Sequence, residues 1–358
     1  MAAVSQPSIN NMAFTSMRLA ILDDYQGYSA SVDWSRASGV HVVTFRDHVS
    51  DCAALVDRLV DFDAVMRIRE RTALPRNVLE ALPRLKLILA TGMRNARTLD
   101  LAAADELGIV VSTTDAHHQS TVDVVWALIL NLFRNIGLET ARVRAGAWQG
   151  GLGQGLAGRT LGVVGLGNMG IPVARIGQSF GMRTIAWSPN LTQARCAPHG
   201  VACVSKTDLF ATADVISLHM PLADNTVGIV GAEDLARMKP EAFFVNTARS
   251  ELVDEDALIH ALELGRIAGA GLDAFADEPL PDRHPYRWLP NVLATPHIGF
   301  ATKENYALFF QQSLENLLAF IRGEPINLIT ADRPFLADSQ VAKQRGLRPG
   351  THQSAGRE

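Results

Sequence analysis

Cysteine is scarce in this chain of 358 residues: only Cys52, Cys196 and Cys203 occur, and none forms a CxxC pair. An odd, sparse set predicts reduced thiols and a cytoplasmic protein rather than a disulfide framework. No sign of charge dominates either. Lys and Arg number 33 against 37 Asp and Glu, a net charge of −4, so no basic field draws in nucleic acid or an anionic membrane. Long hydrophobic runs are missing as well. The longest, residues 122–133, is interrupted by Asp123 and Asn131 and is too short to span a bilayer. The first sixteen residues lack the basic-then-apolar order of a signal peptide. These absences predict a soluble protein with neither nucleic-acid nor membrane partners.

What is present is alternation. Short apolar runs at 18–22, 40–45, 64–68, 85–90 and 109–112 read as strands, with helical spacing at 53–60, 75–82 and 99–107. A long helix is expected over 121–144, then a Gly-rich connector over 146–158. A second series of strands follows at 160–165, 183–187, 201–204, 214–219, 242–246, 268–274 and 292–295. A last helix over 302–322 stops at Gly323-Glu324-Pro325. Apolar strands alternating with helices predict an α/β fold of two doubly wound parallel-sheet domains. The polar ends, 1–16 and 332–358, carry no apolar period and are expected to be disordered tails.

The strongest local signal is Gly165-Leu166-Gly167-Asn168-Met169-Gly170. A glycine-rich turn alone is weak, but here an apolar strand enters it, a helical pattern leaves it and another strand follows. Gly165 suits a tight turn, Gly167 allows a pyrophosphate to approach the backbone, and Gly170 allows helix and strand to pack closely. The context predicts a Rossmann domain binding NAD or NADP. Asn168 and Met169 complete the turn. Ser188 stands where an acidic residue would grip the adenosine ribose, and no Arg follows at once. Both cofactors therefore stay open, with a slight lean to NAD.

Further along, motifs recur in a fixed order: His219-Met220-Pro221-Leu222, Val245-Asn246-Thr247-Ala248-Arg249, Gly269-Ala270-Gly271-Leu272-Asp273, Asp277-Glu278-Pro279-Leu280 and Thr295-Pro296-His297-Ile298-Gly299. With them the chain resembles the D-isomer-specific 2-hydroxyacid dehydrogenases, over about residues 18–328. The resemblance implies a dinucleotide-binding domain, 116–299, inserted in a flavodoxin-like substrate domain, 17–115 plus 300–331. It implies a catalytic set of Arg249, Glu278 and His297. A histidine can give the keto oxygen its proton near neutral pH, a carboxylate can hold that imidazole, and a planar guanidinium suits a substrate carboxylate. Pro221, Thr226, Thr247, Ala248 and Asp273 fall on the cofactor side by the same resemblance, Asp273 beside the nicotinamide. The backbone N–H groups of Thr91 and Gly92, in a loop that continues through Met93, Arg94 and Asn95, are implied to hold the substrate carboxylate, together with Arg249 and His297. Arg67, Arg69 and Arg71 could share a strand face toward an anionic substrate.

The implied activity moves a hydride between NAD(P)H and a small 2-keto or 2-hydroxy acid, and the region around Gly146 to Trp148 implies a homodimer. Departures leave the substrate open. Ser250 replaces the usual glycine after the arginine, and Asp115-Ala116-His117-His118 replaces a turn of small residues. Adjacent histidines do not face one point, so no metal site is expected. Because the family includes a corepressor that reports cofactor state, an NAD(H)-sensing protein without turnover is the alternative. Glu278 argues against the formate dehydrogenases, which carry Gln there.

Overall fold

Residues 16–92 and 97–336 are described by the computed structural model. The tails expected over 1–16 and 332–358 lie outside the described residues except at 16 and 332–336, and so do Met93, Arg94 and Asn95. By internal contacts the chain divides into two units, Met1–His117 with Lys303–Glu358, and His118–Thr302.

The first unit runs β1 (Met17–Leu22), β2 (Val40–Thr44), α1 (Cys52–Leu59), β3 (Ala64–Arg67), α2 (Arg76–Glu80), β4 (Leu87–Ala90), α3 (Leu101–Glu106) and β5 (Val110–Thr113). Its strands pair in parallel in the order β2-β1-β3-β4-β5. All of β3 and β4 is buried. This is why these strands read as apolar runs, interrupted only by Arg67 at the end of β3, rather than as alternation: a parallel sheet covered on both faces has no wet side. Two of these helices start at a capping aspartate. Asp51 accepts from the Ala54 N–H and Asp100 from the Ala103 N–H, each at 2.8 Å.

The second unit opens with α4 (Gln119–Arg134) and α5 (Ile136–Arg144). It continues with β6 (Thr160–Val164), α6 (Gly170–Ser179), β7 (Arg183–Trp187), α7 (Gln193–Cys196), β8 (Ala202–Cys203), α8 (Lys206–Thr212) and β9 (Val215–Leu218). Then come α9 (Ala232–Arg237), β10 (Phe243–Asn246), α10 (Glu255–Glu263), β11 (Gly269–Leu272) and β12 (Val292–Ala294). The parallel order is β12-β11-β10-β9-β6-β7-β8. Alternate strand residues serve opposite faces: Leu161, Val163, Val215 and Val245 pack with α4 and α6, while Val164, Ile216 and Phe244 pack with α8 to α10. The chain then forms α11 (Lys303–Ile321), which belongs to the first unit.

One aspartate does the same work in each sheet. Asp63 accepts from the Arg18 N–H at 3.0 Å and Asp214 from the Thr160 N–H at 2.7 Å, each tying the start of the neighbouring strand. Asp214 also meets Lys239 at 3.0 Å and Arg159 at 3.6 Å.

The single helix expected over 121–144 is broken. α4 and α5 diverge by 65°, and Asn135 between them takes the left-handed conformation at φ +54°. Asparagine adopts that conformation at lower cost than most residues and so ends a helix. The Asn131 side chain accepts the Gly137 N–H at 2.8 Å and secures the break. α4 buries Val122, Val125, Trp126, Leu128, Ile129 and Phe133, whereas α5 buries nothing. Among the described residues no single helix is long and apolar enough to cross a membrane.

Candidate active site

Strand order in the second sheet reverses between β6 and β9, and ligands of such sheets bind at the carboxyl ends of the strands beside that switch. The glycine turn leaves β6 there. Gly165 has φ +98° and donates its N–H to the Trp187 carbonyl at 2.9 Å. A Cβ on Gly165 would stand 2.9 Å from the His219 backbone, and one on Gly170 only 2.1 Å from the Gly165 carbonyl oxygen. Packing thus demands glycine at both positions. Gly167 is different: a Cβ there would meet nothing within 4 Å. Open space over an exposed glycine, at the positive end of α6, fits a dinucleotide pyrophosphate. Asn168 is exposed and Met169 half-buried in the same turn.

Trp187 pairs with Val164, so Ser188 follows beside the turn, its carbonyl accepting from the Leu191 N–H at 3.1 Å. The cation at this edge, Lys206, lies 5.4 Å from the centre of the Trp187 ring and is bonded to Asp234 at 2.6 Å. Asp234 matches its charge. In the loop after β9, Thr226 donates to the Pro221 carbonyl and accepts from the Ala223 N–H, both at 2.8 Å. The loop itself therefore engages Thr226, the residue expected on the cofactor side. Thr247 is the opposite case: its hydroxyl is buried with no partner among the described residues. A buried polar group without a partner is costly, and a bound ligand would relieve it. His219 bonds the Ser217 hydroxyl at 2.8 Å, and burial pushes its imidazole down to about 4.

The expected catalytic residues follow the ends of three neighbouring strands. Asn246, Leu272 and Ala294 align across β10, β11 and β12, and Arg249, Glu278 and His297 follow them at one edge of the sheet. The Nδ1 atom of His297 lies 2.7 Å and 3.0 Å from the two carboxylate oxygens of Glu278. Glu278 is itself held by the Phe275 N–H at 3.0 Å. The imidazole meets Phe300 edge-on with ring centres 5.7 Å apart. Half-buried Arg249 donates to the Ala248 carbonyl at 2.7 Å. Asp273 is buried, and burial raises its carboxyl above the ordinary value although hydrogen bonds from Thr295, Ile298 and Gly299 act against that.

In the first unit the groups expected at the substrate have partners of their own. The Thr91 N–H donates to the Arg67 carbonyl at 3.1 Å and the Gly92 N–H to the Thr114 hydroxyl at 2.9 Å. Both groups implied to hold a carboxylate are thus engaged by their own unit, because Thr91 continues the β3–β4 ladder. Nor do the three arginines share a face. Arg67 is fully buried and bonds Thr98 and the Arg69 carbonyl, and desolvation pushes it down to about 10. Arg69 has φ +57° and pairs with Glu70 at 3.4 Å, while Arg71 donates to the Asp23 carbonyl at 2.7 Å and lies over the Tyr25 ring. His117 is clamped through its backbone by the buried Asn305 amide, at 2.7 Å and 3.0 Å. The Ser250 hydroxyl is turned to Glu251 at 3.1 Å. Among the described residues no metal-ready cluster of His, Cys, Asp or Glu occurs.

Sequence reasoning passed over Asn246. Its side chain accepts from the Ala248 N–H and donates to the Arg249 carbonyl, each at 2.9 Å, shaping the turn that presents the guanidinium. The signal was available, since an Asn placed just before a turn commonly bonds the backbone two residues on.

The chain is similar to known proteins over most of its length. The family model of the D-isomer specific 2-hydroxyacid dehydrogenase NAD binding domain matches residues 126–299. A glyoxylate reductase of Korarchaeum cryptofilum is 36% identical over 296 residues, 80% of this chain and 85% of that one. A D-3-phosphoglycerate dehydrogenase of Methanocaldococcus jannaschii is 38% identical over 274 residues, 75% of this chain and 52% of that longer one. Among solved structures, a phosphoglycerate oxidoreductase of Vibrio cholerae superposes with a TM-score of 0.82 at 38% identity, covering 86% of this chain and 99% of its own. On likeness of this extent, the chain belongs to the D-isomer-specific 2-hydroxyacid dehydrogenase family.

Proposed function

We propose that this NAD(P)-dependent oxidoreductase reduces the keto group of a small anionic 2-keto acid, with glyoxylate and hydroxypyruvate as first candidates, and catalyses the reverse oxidation. The observation that carries the reading is the His297–Glu278 pair at 2.7 Å, at the sheet edge where Arg249 also emerges. When bound, the nicotinamide supplies or accepts the hydride; Gly165, Gly167, Asn168, Met169, Gly170, Ser188 and Thr247 would hold the dinucleotide. Glu278 takes the Nδ1 side of the imidazole and so leaves Nε2 to carry the proton at the substrate oxygen. In reduction His297 gives that proton to the nascent alkoxide, turning C=O into CH–OH; in oxidation it takes the proton back. Arg249 pairs with the substrate carboxylate through its planar fork and draws electron density from the adjacent carbonyl.

The test is a panel of 2-keto acids run with NADH and with NADPH. Turnover is expected with at least one acid, and His297→Ala should lower kcat by about 10²–10⁴-fold. Glu278→Gln keeps an acceptor at Nδ1 but removes the charge, and a smaller loss of about 10–10²-fold is expected. Full turnover in His297→Ala refutes the assignment.

The enzyme also reads as a cytoplasmic homodimer. Support for the dimer comes from Ile136, Leu138, Val143, Trp148 and Leu152, large apolar side chains exposed within one stretch of the second unit.

A further inference from the structure

His297 has φ +50°, in the left-handed region that residues with a Cβ seldom enter. Its N–H donates to the Thr295 carbonyl only two residues back, at 2.8 Å, so the chain reverses tightly at the residue that bears the imidazole. Backbone of this kind persists only where the surroundings over-determine it.

The surroundings are supplied by one carboxylate. Asp273 Oδ1 accepts from the Thr295 hydroxyl at 2.6 Å and from the Ile298 N–H at 2.8 Å, and Oδ2 accepts from the Gly299 N–H at 2.7 Å. The three donors flank His297 on both sides. Thr121 adds a fourth tie by donating to the Gly299 carbonyl at 3.1 Å. Gly299 lies so close that a Cβ there would stand 3.0 Å from Asp273 Oδ2.

We propose that Asp273 is a positioning residue for the dehydrogenase reaction: its buried carboxylate grips the turn around His297 and thereby aims the imidazole. Resemblance to the family implies another task, orienting the nicotinamide. A carboxylate offers about four lone-pair sites, and three are already filled from residues 295–299. The inference rests on reading His297 as the proton donor, and its test is chosen to be independent of that reading.

In Asp273→Asn the amide turns an NH₂ group toward at least one of the three donors, so at least one bond is lost. Hydrogen exchange in the cofactor-free full-length protein reads the loss directly: Ile298 and Gly299 should exchange at least about tenfold faster than in wild type. In the same variant kcat should fall by about 10–10²-fold, the cost of a misplaced catalytic group, while the NADH Kd measured by fluorescence stays within about threefold. Unchanged exchange at Ile298 and Gly299 overturns the proposal. So does a Kd weakened more than about tenfold with kcat preserved at saturating cofactor, since that is the mark of a nicotinamide contact. Should Asp273→Asn fail to fold, Thr295→Val removes one donor alone; smaller changes of the same sign in exchange and kcat support the proposal, and wild-type values in both refute it. Because exchange needs no turnover, failure here is distinct from retained activity in His297→Ala, which would defeat the functional reading instead.

Discussion

Two of the three glycines in the turn after β6 are required by the chain's own packing, and the third is not, which separates ligand binding from folding by a single methyl group. At Gly167 an added Cβ meets nothing within 4 Å, and the residue does not lie in the left-handed region. Alanine there costs the fold nothing and restricts the unfolded chain, so a gain of about 0.4–1 kcal/mol is expected. The same methyl fills the space over the turn. If a pyrophosphate lies there, the NADH Kd should weaken by at least about tenfold, roughly 1.4 kcal/mol. At Gly170 the methyl stands 2.1 Å from the Gly165 carbonyl oxygen and 2.9 Å from the Val163 side chain. Neither backbone nor core can yield freely, and overpacking of this kind costs about 1–3 kcal/mol or more. For a unit spanning His118–Thr302 that lowers the melting temperature by about 2–12 °C. Calorimetry and fluorescence titration on the two variants give both readings. Wild-type NADH affinity in Gly167→Ala refutes the placement of the pyrophosphate, and wild-type melting in Gly170→Ala refutes the packing argument.

His219 sets a stability window in acid. Its folded pKa of about 4 lies below the usual value near 6.5, so the unfolded chain binds the proton first and stability falls as pH drops from 6.5 toward 4, by up to about 3 kcal/mol. The slope of unfolding free energy against pH in that window should flatten in His219→Gln; equal slopes contradict the burial argument. If the exposed apolar arm joins two copies, wild type sediments as a dimer and a Trp148→Asp, Leu152→Asp variant as a monomer, these two side chains being 76% and 98% exposed. A monomeric wild type rejects the dimer.

Much of the fold was legible because parallel strands covered on both faces must be mainly apolar, as β4 is throughout and β3 is up to Arg67. The glycine turn was legible for a related reason: Gly165 and Gly170 answer to close contacts that any side chain would strain. The break at Asn135 was not, since a helical period carries no mark of one residue turning left-handed. The common face expected for Arg67, Arg69 and Arg71 failed because alternation holds only within a strand. β3 ends at Arg67, and Arg69 at φ +57° redirects the chain.

By itself the sequence determined which residue types stand at each strand end, and so the presence of an arginine, a glutamate and a histidine suited to proton transfer beside a carboxylate. Tertiary structure alone decided which polar groups remain available. The Thr91 and Gly92 N–H groups are engaged by Arg67 and Thr114, Thr226 is engaged by its own loop, and Thr247 is left without a partner among the described residues. It also decided that Asp273 holds donors 22 to 26 positions further along the chain. Residue chemistry is local and can be read in order along the chain, whereas hydrogen-bond partners are assigned only when distant strands close side by side.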